Sequence, residues 1–408
     1  MVMKKHFLLT PGPTPIPPEV SAQEGLPVLH HRTGEFGIIF QEVIENLRYV
    51  FQTKNDVFVT ASSGTGAMES AVCNLLSPGD TALVASTGVF GDRFAKILEV
   101  YGVKSIVLRE PDGHVTVPSK IEEALKKNPY AKAVFATHTE TSTGVVNDIG
   151  AIGKIVAKVP AVLVVDSVSG LGGQELRTDE WKIDVVCTGS QKGLMTAPGL
   201  GMISVSAKAW ALVEAAQSPR FYFDWRKMRK SIAERQTPFT PPVTVIVAQA
   251  EALRQIRREG LENVLARHAW MAHAVREAAR ALGLKMFAQV PCNVLTAIAV
   301  PNGIDGKAIV KRLREDYGVS IAGGQGELVG KIIRLAHMGY MERFDVIIGI
   351  SALEMMLQEL GYKVELGRGV AAAEQAFLSK PSKNPSPLSH NSPPSIPSPT
   401  RGAGTRAP

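Results

Sequence analysis

Short apolar runs alternate with amphipathic stretches along most of the chain. Each run is five to eight residues long and ends near Gly, Ser, Asp or another polar residue. Between many of them, apolar residues recur at the spacing of a helix face, as in AMESAVCNLL and PSKIEEALKKN. This alternation predicts an α/β fold with a largely parallel sheet covered by helices on both faces. The predicted strands are residues 57–61, 81–86, 104–110, 131–138, 161–168, 184–190 and 201–206.

The residues that follow these runs are candidates for function, because ligands of such sheets bind beyond the carboxyl ends of the strands. After the first run, SSGTG leads into a predicted helix. Free backbone N–H groups near Ser63, Gly64 and Thr65 can hold an anion such as a phosphate there. The alternative is a simple Ser or Thr cap on an ordinary helix.

Two charged residues also follow buried runs. Asp166 ends AVLVVD, where an unpartnered carboxylate is costly, so an internal donor or a bound cation has to face it. Lys192, in GSQKGL, follows another buried run, where desolvation lowers the pKa of the amine and makes it a usable nucleophile. The alternatives are an aspartate that caps a helix and a lysine that extends into solvent.

Composition narrows the class of protein. A chain of 408 residues with 45% hydrophobic content is long enough for two domains. The apolar runs are too short for a membrane span and the N-terminus does not resemble a secretory signal, so we expect a cytoplasmic protein. Three scattered cysteines fit a reducing compartment and show no metal-ligand spacing. The net charge of +7 is modest, and the most basic segment of the chain, WRKMRKSIAERQ, lacks a nucleic-acid motif. We therefore expect no metal, membrane or nucleic-acid partner.

The end of the chain has a different composition. From Pro381 onward, 28 residues contain 8 Pro and 6 Ser. Such a segment buries too little apolar surface to fold. We therefore predict a disordered Pro/Ser-rich tail over residues 369–408.

An anion cradle, a carboxylate and a lysine at strand ends are the three groups that pyridoxal 5'-phosphate (PLP) requires. The sequence resembles the class V aminotransferases of the fold-type I PLP superfamily. Within that family it is most similar to the alanine–glyoxylate and serine–glyoxylate (or serine–pyruvate) branch. The resemblance covers about residues 7–367. It is carried by TPGPTPIPPEV, NLRYVFQTKNDVFVTASSGTGAMESA, THTETSTGV, VVDSVSGLGG, GSQKGL, TPFTPPV and GGQGELVGKIIRLAHMG.

The resemblance implies a role for each matching residue. Lys192 would be the Schiff-base lysine and proton carrier, and Asp166 would pair with the pyridine nitrogen. Arg334 would bind the α-carboxylate of the substrate, as a planar guanidinium does well. The remaining implied cofactor contacts are Ser63, Gly64, Thr65 and Gln191 at the phosphate, Thr141 at the phenolic oxygen, Val168 and Phe90 at the ring faces, and Thr240 at the phosphate of the neighbouring subunit. Relatives often carry a tryptophan in place of Phe90, and some carry a tyrosine in place of Thr237.

The resemblance also implies an architecture. A large PLP-binding domain (18–258) with a mostly parallel seven-stranded sheet precedes a smaller α+β domain (259–368). Residues 1–17 contain too many prolines for a helix and form an extended arm over the site. Two chains form a homodimer with shared active sites.

The implied reaction moves an amino group from a small amino acid, alanine or serine, to glyoxylate or pyruvate. We see no obvious second arginine for a distal carboxylate, which favours small neutral donors. Ureidoglycine–glyoxylate and 2-aminoethylphosphonate transaminases stay possible, as does the soluble hydrogenase subunit label that some family members carry. Cys292 begins an apparent strand, which argues against a cysteine desulfurase.

Overall fold

The computed structural model describes residues 5–379. Its N-terminal and central part carries the predicted α/β alternation. The elements are β1 (Phe7–Leu8), α1 (Pro18–Glu24), α2 (Gly34–Phe51), β2 (Asp56–Ala61), α3 (Gly64–Leu75), β3 (Thr81–Ser86), α4 (Val89–Val100), β4 (Lys104–Arg109), α5 (Pro118–Lys127), β5 (Ala133–Thr137), β6 (Thr139–Glu140), β7 (Val145–Val146), α6 (Ile149–Val156), β8 (Val162–Asp166), β9 (Val185–Gly189), β10 (Leu200–Val205), α7 (Ala207–Ala215), α8 (Trp225–Ala233) and α9 (Val243–Glu259).

The seven predicted strands form one sheet, in the order β2-β10-β9-β8-β5-β3-β4. Strand β10 is antiparallel to both of its neighbours, and the other pairs are parallel. The predicted mostly parallel seven-stranded sheet is therefore confirmed. Strands β2, β3, β5, β8 and β9 all place their carboxyl ends at the same edge of the sheet.

Apolar residues of each strand alternate between two cores, as the pleat requires. In β8, Leu163 and Val165 pack with helices α2, α5, α6 and α9. Val162 and Val164 point to the opposite face and pack with α3, α4, α7 and α8. Both faces are covered, so the central strands are apolar throughout and polar residues appear only where the strands end.

The C-terminal part has its own apolar core. Its elements are α10 (Leu261–Ala281), β11 (Leu295–Ala299), α11 (Gly306–Tyr317), β12 (Val319–Ser320), β13 (Ala322–Gly323), a 3-10 turn (Gly326–Leu328), β14 (Ile332–Ala336), α12 (Arg343–Glu359) and α13 (Arg368–Leu378). The order β11-β14-β13 forms an antiparallel sheet that packs with these helices. The domain boundary at residues 258 and 259 falls near the junction of α9 and α10, and it stays a prediction.

The N-terminal arm connects the two parts. Strand β1 pairs in parallel with β12, and Leu9 is buried in the C-terminal core. The Leu9 carbonyl accepts a hydrogen bond from the Ala336 N–H at 2.9 Å. Residues 9–17 contain no helix or strand, as the prolines predicted.

The predicted tail requires a correction. Residues 369–378, which we assigned to it, belong to helix α13, whose Ala373, Ala376 and Phe377 are buried in the C-terminal core. The prediction was wrong there because the apolar face of GVAAAEQAFL finds a partner surface that the Pro/Ser-rich composition downstream obscures. Residues 380–408 lie outside the described residues.

None of the helices within residues 5–379 has both the length and the apolar character that a membrane crossing demands.

Candidate active site

Residues from five strand ends line one cavity of about 120 Å³ at the carboxyl edge of the sheet. Nine of the eleven predicted site residues lie in its wall. They are Ser63, Gly64, Thr65, Phe90, Thr141, Asp166, Val168, Gln191 and Lys192. The sheet therefore brings together residues that are up to 129 positions apart in sequence.

The first wall is the N-terminus of α3. Helix α3 begins at Gly64, and the Ser63 hydroxyl makes no capping hydrogen bond, so the simple capping alternative does not hold. A side chain at Gly64 would collide with Val168, which requires glycine here. The side-chain oxygen of Gln191 is buried without a hydrogen-bond partner. Free helix N–H groups and two hydroxyls form a wall that suits a phosphate.

Asp166 ends β8, the middle strand of the sheet. Its Oδ1 accepts a hydrogen bond from the Val168 N–H at 2.8 Å, and no helix begins there, so it does not cap one. Burial raises the pKa of the Asp166 carboxyl to about 7, opposed by that hydrogen bond. A cationic group held against this carboxylate would relieve the cost of its burial.

Lys192 lies in the turn that follows β9. Burial, together with the positive charge of Arg334, lowers the pKa of its amine to about 8. The Lys192 amine donates to the Pro11 carbonyl of the arm, and the Thr14 hydroxyl donates to the Lys192 carbonyl at 3.1 Å. The arm thus covers the lysine and holds it away from solvent.

Phe90 lies at the start of α4, after β3. The buried Glu140 carboxylate accepts hydrogen bonds from the N–H groups of Phe90 and Gly91, both at 3.1 Å. Burial raises the pKa of Glu140, and these donors oppose that rise. This carboxylate fixes the start of α4 against the loop after β5, and so fixes the position of the Phe90 ring.

Arg334 lies in β14, as the predicted strand KIIRLA required. It is outside the cavity wall, but its Nη1 donates to the carbonyl of Thr141, a wall residue, at 2.7 Å, and its Nε donates to the Gly323 carbonyl at 2.9 Å. Burial lowers the pKa of its guanidinium to about 10. Its second terminal nitrogen makes no hydrogen bond within the described residues. The Thr141 hydroxyl shares a 2.5 Å hydrogen bond with Ser169.

Thr240 is the predicted residue that the chain does not bring to this cavity. It is exposed, its hydroxyl lies 3.4 Å from His31 Nε2, and it lines a separate cavity with Val28 and His31. The neighbouring Thr237 is buried and donates to the Phe239 carbonyl of its own loop at 2.7 Å.

The cavity wall also contains residues that the sequence did not single out: Met68, Arg93, Thr139 and Ser169. Ser169 lies three positions after Asp166, and Arg93 lies one helical turn after Phe90. For Arg93 that spacing was the available signal, because positions i and i+3 of a helix share a face, whereas Ser169 lies in a turn where this rule does not apply.

The donor set fits PLP. An anion cradle, a buried carboxylate, a lysine of lowered pKa and an aromatic ring surround one cavity, and these are the kinds of group that the cofactor needs. A covered α/β sheet with this set at its carboxyl edge defines a PLP-dependent enzyme of fold-type I. Residues 6–345 match the family described as Aminotransferase class-V, and the chain belongs to that family.

Proteins similar to this chain carry several activities in their names. Identity is 41% with the soluble hydrogenase small subunit of Synechococcus sp. (strain PCC 6716), covering 91% of this chain and 98% of that protein. It is 39% with the L-aspartate–glyoxylate aminotransferase of Paracoccus denitrificans, covering 91% and 96%. It is 38% with the serine–glyoxylate aminotransferase of Methylorubrum extorquens, covering 92% and 97%.

Solved structures of aminotransferases share this fold. The ureidoglycine–glyoxylate aminotransferase of Bacillus subtilis superposes with a TM-score of 0.89 at 30% identity, covering 93% of this chain and 100% of that one. The protein is accordingly a PLP-dependent aminotransferase.

Proposed function

We propose that this aminotransferase moves the amino group of alanine or serine to glyoxylate or pyruvate. The observation that carries the proposal is Arg334, whose buried guanidinium is held beside the cavity by the Thr141 and Gly323 carbonyls. A planar guanidinium in fixed orientation suits the α-carboxylate of an amino acid or a 2-oxo acid. Several relatives are named glyoxylate aminotransferases, which supports the acceptor.

The residues divide the work of the reaction. Arg334 binds the substrate carboxylate and orients the Cα–H bond toward Lys192. The Lys192 amine would accept the proton from Cα and carry it, which its pKa of about 8 allows near neutral pH. Asp166 holds a proton on the pyridine nitrogen. When bound, PLP supplies the electron sink for the charge left on Cα.

A contact from the partner subunit completes the site in this proposal. Thr240 lies on an exposed loop beside Val28, which is 71% exposed, and Leu26 and Ile38 are also exposed. Apolar surface of this kind suits a subunit interface. We therefore propose a cytoplasmic homodimer in which Thr240 reaches the phosphate of the neighbouring site.

Aspartate is the second candidate donor, because Arg93 places a guanidinium in the cavity wall in addition to Arg334, which lies beside it. A distal carboxylate of aspartate could bind there, and one relative is named for that reaction. Ureidoglycine, 2-aminoethylphosphonate and the hydrogenase label are supported by resemblance or by names alone.

The test is a donor-by-acceptor screen of the purified enzyme, read by the loss of the visible absorbance of the lysine-bound cofactor. Alanine and serine should each discharge the band, and glyoxylate should restore it. Arg334→Ala should lower kcat/KM for these donors by roughly 100-fold or more, the cost of a lost charge-assisted pair.

The exposed Arg314→Ala is the matched control and should leave the rates unchanged. If neither alanine nor serine alters the spectrum while aspartate does, the donor assignment is wrong. If Arg334→Ala leaves the preferred reaction intact, the donor has no α-carboxylate, and 2-aminoethylphosphonate becomes the better candidate.

A further inference from the structure

Arg93 is a half-buried cation that forms no ion pair with a carboxylate among residues 5–379, although its positive charge does lower the pKa of Asp166. The adjacent Asp92 faces elsewhere: its Oδ1 accepts from the Ser86 hydroxyl at 2.5 Å and lies 3.4 Å from Arg109 Nε. Removing a guanidinium from water without a counter-charge is unfavourable. The positive charge at this wall therefore favours an anion in the cavity.

One hydrogen bond of Arg93 indicates where in the cavity this anion would bind. Arg93 Nη1 donates to the Thr65 hydroxyl oxygen at 2.8 Å. A hydroxyl has one proton to donate, and an incoming hydrogen bond on its oxygen leaves that proton for another acceptor. Thr65 lies in the first turn of α3, beside the free N–H groups of the anion cradle. Its proton is thus available to the group that the cradle holds.

The position of Arg93 is fixed by the ring on its own helix. Its guanidinium lies 4.6 Å from the centre of the Phe90 ring, within the range of a cation–π contact. The start of α4 is held in turn by Glu140. Arg93 is therefore preorganised over Phe90 and against Thr65, rather than extended toward the Arg334 side of the cavity.

We propose that Arg93 is a positioning residue for the cofactor phosphate: it fixes the Thr65 hydroxyl as a phosphate donor and offsets the phosphate charge. The proposal rests on the PLP site described above. It gives the guanidinium in the cavity wall a role that needs no dicarboxylate donor. The hydrogen bond from Arg93 through Thr65 to the phosphate is a chain of two donors, and such chains strengthen each member.

The experiment measures PLP binding by the apoenzyme, titrated by fluorescence or visible absorbance. Arg93→Gln and Thr65→Val should each raise the dissociation constant of PLP by roughly ten-fold or more, since both remove part of one charge-assisted chain. The double variant should bind no more weakly than about the weaker single variant, because the two residues act in series. Arg93→Lys, which keeps the charge without the planar fork, should recover only part of the affinity.

Lys96→Gln is the matched control, because it removes a positive charge from an exposed position of the same helix and should leave PLP affinity unchanged. The 31P chemical shift of bound PLP provides an independent readout and should move in Arg93→Lys, which also serves if Arg93→Gln does not fold.

Three outcomes would overturn the inference. Wild-type PLP affinity in Arg93→Gln, with weakened affinity in Thr65→Val, refutes the role of Arg93 and leaves the phosphate site standing. Unchanged PLP affinity with a raised KM for aspartate alone makes Arg93 a substrate residue. If the losses of PLP affinity in the two single variants add up in the double variant, the coupling of Arg93 to Thr65 is refuted. Unchanged affinity in both single variants instead refutes the proposed phosphate site itself.

Discussion

Burial sets the charges of the two ionisable residues at the centre of the cavity. It raises the pKa of Asp166 to about 7 and lowers that of Lys192 to about 8, so each is displaced toward its neutral form. In the protein without a ligand, burial of these two groups costs free energy. In the proposed site, a bound cofactor would offset this cost at both residues, and strongly shifted pKa values of this kind are typical of functional sites.

Asp166→Asn tests this account through stability. In the unfolded chain an aspartate loses its proton near pH 4, whereas the folded apoenzyme holds the Asp166 proton up to about pH 7. The folded state therefore binds more protons between these values, and its stability falls as pH rises through this window. Asn keeps an oxygen for the Val168 N–H. At pH 8, we expect the free energy of unfolding of the apo variant to be higher than that of the wild type by up to about 4 kcal/mol. This difference should vanish toward pH 4.

Urea unfolding of both apoproteins at pH 5 and pH 8 measures the difference. PLP affinity should fall in the same variant. An equal stability difference between the two proteins at pH 5 and pH 8 would contradict the prediction. It would mean that Asp166 is already ionised in the apoenzyme, paired with a charged Lys192.

At the scale of elements, helix α13 shows how an overlooked segment completes a core. The Glu354 carboxylate of α12 accepts hydrogen bonds from the N–H groups of Gly367 and Val370, at 2.8 and 3.1 Å, and also from that of Gly369. Trp270 Nε1 donates to the Ala376 carbonyl at 3.0 Å. The helix is therefore held at both ends as well as along its apolar face.

Phe377→Ala tests the docking of this helix. Phe377 is 7% exposed and its ring lies 5.4 Å from that of Trp270, edge to face. Truncation should lower the free energy of unfolding by about 3 kcal/mol, as for other buried aromatic side chains. The adjacent Leu378→Ala is the control, since Leu378 is 84% exposed and should tolerate the change. Equal thermal stability of the two variants would show that α13 is not docked.

At the scale of the whole molecule, the chain by itself leaves the proposed phosphate site without Thr240, which lines a separate cavity. Val28, which is exposed and apolar, lines the same cavity as Thr240. A second copy of the chain would cover this surface and bring its own Thr240 to the cavity. Catalytic competence would then depend on assembly.

A mixed dimer provides the test. Subunits carrying Lys192→Ala and Thr240→Val are co-expressed with different tags, and the heterodimer is isolated. One of its sites then combines Lys192 from one subunit with Thr240 from the other. We expect that site to bind PLP with wild-type affinity at half stoichiometry, whereas Thr240→Val homodimers bind it more weakly. Weak binding in the heterodimer as well would show that Thr240 acts within its own chain.

The sequence by itself determined the seven strands and the chemistry at their ends. A strand buried on both faces has to be apolar throughout, so its length and its first polar residue are visible locally. Asp166 and Lys192 stand out for that reason: Asp166 ends such a run and Lys192 lies three residues after one, and a charge is costly there unless it has a use. The prolines of residues 9–17 likewise predict that no helix forms there, as the structure shows.

Only the tertiary structure decided which distant groups meet. Arg93 lies on a helix where an arginine is ordinarily solvated, and nothing local indicates that Thr65, 28 positions earlier, accepts its hydrogen bond. The Pro11 carbonyl reaches Lys192 across 181 positions. Helix α13 was missed because its partner surface is built from α10 and α12. These contacts depend on the order of strands in the sheet and on packing between elements, which no local pattern records.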